Sequence, residues 1–162
     1  MGLEIVLVEP EIPQNTGNIS RTCVAIGARL HLIEPLGFMI DDRQLKRAGL
    51  DYWFDLDLVL WPNLEALLRQ TSIDTKVFYA TTKGGSVYSD LDLTGNVMLI
   101  FGKETKGLPE SLLISHPERC LRIPMLPDRR SLNLSNAVAI LAYEALRQQG
   151  FPGLLKKNPL KY

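Results

Sequence analysis

The sequence is poor in the residues from which metal sites are made. Of its 162 residues only two are cysteines, Cys23 and Cys120, too far apart to form a CxxC, and only His31 and His116 can offer imidazole. A structural zinc site is disfavoured, and no metal is expected. Long apolar runs are also missing: none approaches the roughly 18 residues that a membrane-spanning helix needs. The stretch from Met1 to Glu11 carries carboxylates and no basic cluster, unlike a leader peptide, so the expected compartment is the cytoplasm with no membrane partner. An excess of one charge is absent too, since 18 basic side chains balance 18 acidic ones. Bulk attraction to a polyanion is therefore excluded, and any nucleic-acid contact has to come from a local patch. The local groups available are Arg43, Lys46 and Arg47; Lys83; Lys103 and Lys106; Arg129 and Arg130; and Lys156, Lys157 and Lys161.

Several common catalytic patterns are missing as well. No strand-like segment is followed by GxGxxG, which removes the usual dinucleotide fingerprint. Gly102 to Gly107 has the length of a phosphate loop, but Leu108 and Pro109 stand where that motif needs Lys and then Ser or Thr. GxSxG, HExxH and HxE are absent, which removes the familiar hydrolase and deaminase templates.

What is present reads as one folded unit spanning residues 1–162, with 46% hydrophobic and 22% charged residues. Glu4–Val8 is a short apolar β-rich run ended by Pro10 and Pro13 and is expected to be a strand. Ile19, Cys23 and Ile26 have helical spacing, predicting a helix from Asn18 to Ala28 with Gly27 near its C-terminal cap. Strands are expected at Leu30–Glu34, Leu58–Leu60, Val77–Ala80, Val97–Phe101 and Cys120–Pro124. Helices are expected over Asp41–Arg47, over Pro62–Leu68 with an early proline, after Pro109, and over Asn136–Gln149. The last of these has Ala139, Ile140, Tyr143 and Leu146 on one side, and Lys83–Ser86 reads as a turn. Alternating strands and helices imply an α/β fold with a mostly parallel sheet flanked by helices, and a ligand site beyond the carboxyl ends of the strands. His31, within an apolar strand, is expected to be a satisfied core residue.

Three loops at strand ends concentrate glycine and small polar groups. Asn15-Thr16-Gly17-Asn18-Ile19-Ser20-Arg21 fits NxGxxxR, Phe101-Gly102-Lys103-Glu104-Thr105-Lys106-Gly107-Leu108 fits FGxExxGL, and Ser131-Leu132-Asn133-Leu134-Ser135-Asn136-Ala137 fits SLNxSxA. In this order and spacing they resemble the three motifs of the SPOUT superfamily of RNA ribose methyltransferases. The phrases Glu9–Asn15, Ile33–Phe38, Arg47–Tyr52 and Thr81–Gly84 narrow the resemblance to the TrmL family of minimal tRNA wobble-ribose methyltransferases. The likeness runs from Glu4 to about Gly153. The chain departs from the usual family text at Lys103 and Lys106, where Pro and Arg are common, and at Arg129, which replaces a small polar residue before Arg130.

The resemblance implies a deep C-terminal trefoil knot, an exception to the rule against knotted chains, with knot and cofactor site within residues 77–150. It implies transfer of a methyl group from S-adenosyl-L-methionine to the ribose 2′-hydroxyl of the wobble nucleotide, cytidine or carboxymethylaminomethyluridine, leaving S-adenosyl-L-homocysteine. The alternatives are a catalytically silent RNA-binding relative or methylation of another RNA ribose. Carried over by position, Ala80, Gly102, Ile123 and Ser131 would contact the cofactor, with Met125 and Leu132 beside them. Arg21 would be the catalytic residue, by positioning and charge stabilisation, because an arginine is a poor base. Asn15, Glu104 and Asn133 would order the motif loops. The implied partners are the tRNA anticodon stem-loop and a second copy of the chain, with Tyr143 and Leu146 of the last helix available to the dimer interface.

Overall fold

The computed structural model describes residues 2–40 and 55–157. In chain order these form β1 (Leu3–Val8), α1 (Pro13–Ile26), β2 (Arg29–Ile33), β3 (Leu58–Trp61), α2 (Leu64–Gln70), β4 (Thr75–Ala80), β5 (Ser86–Val87), β6 (Asn96–Phe101), α3 (Glu110–Ser115), β7 (Cys120–Arg122) and α4 (Leu134–Gln148). The strands make one sheet in the order β3-β2-β1-β6-β4-β7-β5, and every pairing is parallel. The α/β expectation therefore holds.

The central strands are apolar on both faces because helices cover both. Ile5 and Leu7 of β1, with Val97, Leu99 and Phe101 of β6, join the core cluster that holds Ile19 and Cys23 of α1 and Val138, Leu141 and Ala142 of α4. The alternate residues Val6, Val8, Met98 and Ile100 join the opposite cluster with Leu67 of α2 and Leu113 of α3. A period-two strand between two layers has no polar face, which is why these strands read as uninterrupted apolar runs.

Helix boundaries differ from expectation in instructive ways. α1 begins at Pro13, five residues before the expected Asn18, because proline at the first position already has helical φ and lacks an N–H that would go unpaired. Its end is as expected: Gly27 takes φ +67°, and the Gly27 and Ala28 N–H groups bond the carbonyls of Val24 and Cys23. α2 starts after Pro62, with the Asn63 side chain accepting from the Ala66 amide at 2.8 Å.

The expected apolar side of the last helix requires correction. α4 starts two residues early, at Leu134, and its buried stripe is Val138, Leu141, Ala142, Ala145 and Leu146. Ile140 and Tyr143 are 37% and 48% exposed, so of the four residues assigned to one side only Leu146 faces the core. It is consequently unavailable to a partner. Apolar residues cover more than half of this helix's circumference, so periodicity alone cannot choose between overlapping stripes. The two-residue strand β5 begins at the end of the expected turn Lys83–Ser86, and so short an element has no period to announce it. The helix expected over Asp41–Arg47, and the phrase Arg47–Tyr52, lie outside the described residues.

His31 is the satisfied core residue expected. Its Nδ1 accepts from the Trp61 indole N–H at 2.9 Å, and its Nε2 lies 2.9 Å from the Glu4 carboxylate. Because indole is only a donor, the His31 proton sits on Nε2 and is donated to Glu4.

Candidate active site

The carboxyl ends of β4, β6 and β7 open into a cavity of about 580 Å³ whose wall is completed by the start of α4. The size suits a nucleoside-bearing ligand. It lies where an open parallel sheet is expected to hold one.

After Phe101 the chain must double back sharply. Gly107 N–H bonds the Lys103 carbonyl at 2.8 Å, and a Cβ added to Gly102 would lie 2.0 Å from the Gly107 carbonyl carbon and 2.2 Å from the Leu108 nitrogen. Only glycine fits there.

Two reciprocal carboxylates fasten this loop to the start of α1. Ile12 at the N-cap offers no side-chain acceptor. Instead Glu104 reaches across from the other loop, accepting from the Glu11 amide at 2.8 Å, the Ile12 amide at 3.2 Å and Asn15 Nδ2 at 3.1 Å. A negative charge at this end also complements the helix dipole. In return the Glu11 carboxylate accepts from the Thr105 amide at 3.0 Å and the Thr105 hydroxyl at 2.8 Å. The Thr105 hydroxyl, then its amide, hold the Glu11 carboxyl below the ordinary carboxylate range. Lys103 Nζ meets Glu9 at 2.5 Å, and that bond raises the lysine pKa.

The third loop joins through a pair of asparagines. Asn15 Oδ1 accepts from Asn133 Nδ2 at 2.9 Å, while Asn133 Oδ1 accepts from the Ser135 amide and hydroxyl at 2.9 and 2.6 Å, capping α4. One hydrogen-bonded chain thus runs Glu104, Asn15, Asn133, Ser135 across all three motifs, the first of which, Asn15–Arg21, is not the expected loop but the first turns of α1.

The structure brings together Ala80, Gly102, Ile123, Met125, Ser131 and Leu132, all of which line the cavity, as do Asn15, Glu104 and Asn133. Arg21 is not among the lining residues; it lies further along α1 on the exposed side. Lys83 pairs with Glu110 at the cavity edge. The sequence points to no role for Glu11, Thr105 or Glu9, whereas Arg130 belongs to the expected local cations and lines the cavity. Glu9 and Glu11 hold residues 94 positions away in the chain. Nothing local signals such a pairing. Neither cysteine is a nucleophile at neutral pH: burial pushes the Cys23 thiol up to about 12 and also raises Cys120.

Among known proteins, the tRNA (cytidine(34)-2'-O)-methyltransferase of Aeromonas hydrophila is 52% identical over 156 residues, covering 96% of this chain and 99% of the relative. The enzyme of that name from Escherichia coli is 48% identical over 157 residues, covering 96% and 99%. A solved structure that gives insight into 2-OH methylation of C/U34 on tRNA superposes with a TM-score of 0.86 and 44% identity, over 91% of this chain and 96% of that one. The AdoMet-bound rRNA methyltransferase from Sinorhizobium meliloti superposes at 0.80 with 28% identity, over 90% of this chain and 56% of that one. The pattern of the SpoU rRNA methylase family matches residues 2–143, from the first strand to the middle of α4. With residues of all three motifs gathered around one cavity, the chain belongs to the SpoU rRNA methylase family.

Proposed function

We propose that this chain methylates the ribose 2′-hydroxyl of the wobble nucleotide, cytidine or carboxymethylaminomethyluridine, in the tRNA anticodon loop, using S-adenosyl-L-methionine and no metal. The observation that carries this reading is the cavity itself: all six residues assigned to the cofactor by resemblance line it, although they come from four separate stretches of chain. The tRNA (cytidine(34)-2'-O)-methyltransferase activity of relatives about half identical over nearly their full length supports the same reaction and substrate. A deep C-terminal knot and a cytoplasmic location belong to this proposal. No helix among the described residues is long and apolar enough to cross a membrane.

The donor set fits S-adenosylmethionine. Backbone at Gly102 is open to close approach on its cavity side, and Ile123, Met125 and Leu132 offer apolar surface to an adenosyl group. When bound, this cofactor supplies an electrophilic methyl group on a sulfonium centre. The chain's own task is then positioning, because in-line approach of a weakly acidic hydroxyl gains most from held geometry. The Glu104, Asn15, Asn133 chain keeps the motif loops in register around the cavity. Arg21 would hold the RNA by a phosphate and stabilise charge as the hydroxyl proton leaves.

Since Arg21 does not line its own cavity, a homodimer in which the site lies at the subunit boundary is part of the reading. The exposed Ile140 and Tyr143 offer an isologous apolar patch on α4. The test combines sedimentation with tRNA methylation followed by nucleoside mass spectrometry. A dimer that yields a 2′-O-methylated nucleoside at position 34 is expected. A methylated product elsewhere in the RNA, or none, refutes the assignment, and a fully active monomer refutes the shared site.

A further inference from the structure

The described residues divide sharply in how their cations are neutralised. Seven lysines and arginines form ion pairs: Arg29 with Asp57, Arg69 with Glu65, Lys76 with Asp92, Lys83 with Glu110, Lys103 with Glu9, Arg119 with Glu118 and Arg147 with Glu144. Three that stand without an ion pair or side-chain hydrogen bond among the described residues border the site: Lys106 and Arg130 line the cavity, and Arg129 adjoins Arg130 on the exposed loop. Arg122 of β7 is likewise without such a partner but does not line the cavity. Lys156 and Lys157 also lack partners but follow α4, whose 15 residues put them roughly 20 Å from its cavity end.

We infer that Lys106, Arg129 and Arg130 form the phosphate-contacting rim of the site, while Lys83 and Lys103, though on the same edge, do not contribute. This rests on the reading of the chain as an RNA methyltransferase. In a chain of zero net charge, a cation attracts a polyanion only to the extent that no carboxylate already cancels it. A neutralised lysine releases few counterions when RNA arrives, whereas each free cation that meets a phosphate adds about one unit to the slope of log affinity against log salt. The position agrees with this: a ribose presented at the cavity mouth brings its flanking phosphates to the rim.

Salt titration of anticodon stem-loop binding, with the protein saturated in S-adenosylhomocysteine, separates the two groups. Lys106→Gln, Arg129→Gln and Arg130→Gln should each weaken binding several-fold and lower the slope by about one, and Arg130→Lys should restore it. Lys83→Gln and Lys103→Gln should leave the slope unchanged. Glu9→Gln, which uncovers the Lys103 charge, should raise it. Equal slopes across all five charge-removing variants, or loss only in the Lys83 and Lys103 variants, overturn the inference. If Arg130→Gln keeps the slope but loses S-adenosylhomocysteine, Arg130 serves the cofactor and the rim as assigned is wrong. A wild-type protein that binds no stem-loop sinks the functional reading together with this one, whereas binding with unmoved slopes sinks this inference alone.

Discussion

Replacing Glu104 by alanine tests whether the motif loops hold one another. The side chain accepts three hydrogen bonds, two of them from amides that lead into α1 and have no other side-chain cap. A charge-assisted bond is worth about 1.5–3 kcal/mol, and loss of a cap costs about 0.5–2 kcal/mol. Glu104 is half-buried, so water can replace part of what is lost, and the net cost should be about 2 kcal/mol. For a chain of this length that corresponds to a fall in Tm of about 4–8 °C at fixed protein concentration. Glu104→Gln keeps one acceptor oxygen and should lose about half as much. Thermal unfolding by circular dichroism reads the first effect and calorimetry with S-adenosylhomocysteine the second, since loosened loops should weaken cofactor binding as well. A Tm within 1 °C of wild type (about 0.3 kcal/mol by the same conversion), with unchanged cofactor affinity, would show that the interloop clamp carries no weight.

Four further outcomes are expected. Arg21→Ala should keep cofactor affinity within about twofold yet abolish most turnover, whereas Ser131→Tyr, at the cavity wall, should block the cofactor; equal loss of both properties in Arg21→Ala would contradict its place outside the cavity. Gly102→Ala should be unable to close its loop, so calorimetry should detect no cofactor binding, and normal affinity would contradict the 2.0 Å approach. Methylation should be indifferent to EDTA, and loss of activity restored by a divalent ion would refute the metal-free reading. The bond from the Lys76 ammonium, aided by Thr94, holds the Asp92 carboxyl down to about 2. A depressed carboxylate stabilises the fold above its ordinary pKa, and this contribution fades as pH falls from about 4 towards 2. Asp92→Asn should therefore flatten that part of the acid-unfolding curve, which an unchanged curve would disprove.

The α/β class, every strand but the two-residue β5, and the three motifs are legible in the chain itself. Val97–Phe101 is too short for a buried helix and is closed by Gly102, which leaves a buried strand, and Gly27 ends α1 for a purely local reason of backbone conformation. Tertiary structure decided what depends on distant partners. Whether α4 buries Ile140 or Leu141 is set by the sheet and helix beneath it, because the helix is apolar around most of its girth. The start of α1 is capped by Glu104, a residue from another loop, so no pattern near Pro13 announces it. Charge shows the same division. Lys103 and Lys106 stand three positions apart in one loop, yet Glu9 forms an ion pair with the first and not with the second, and only the folded chain puts that carboxylate within reach.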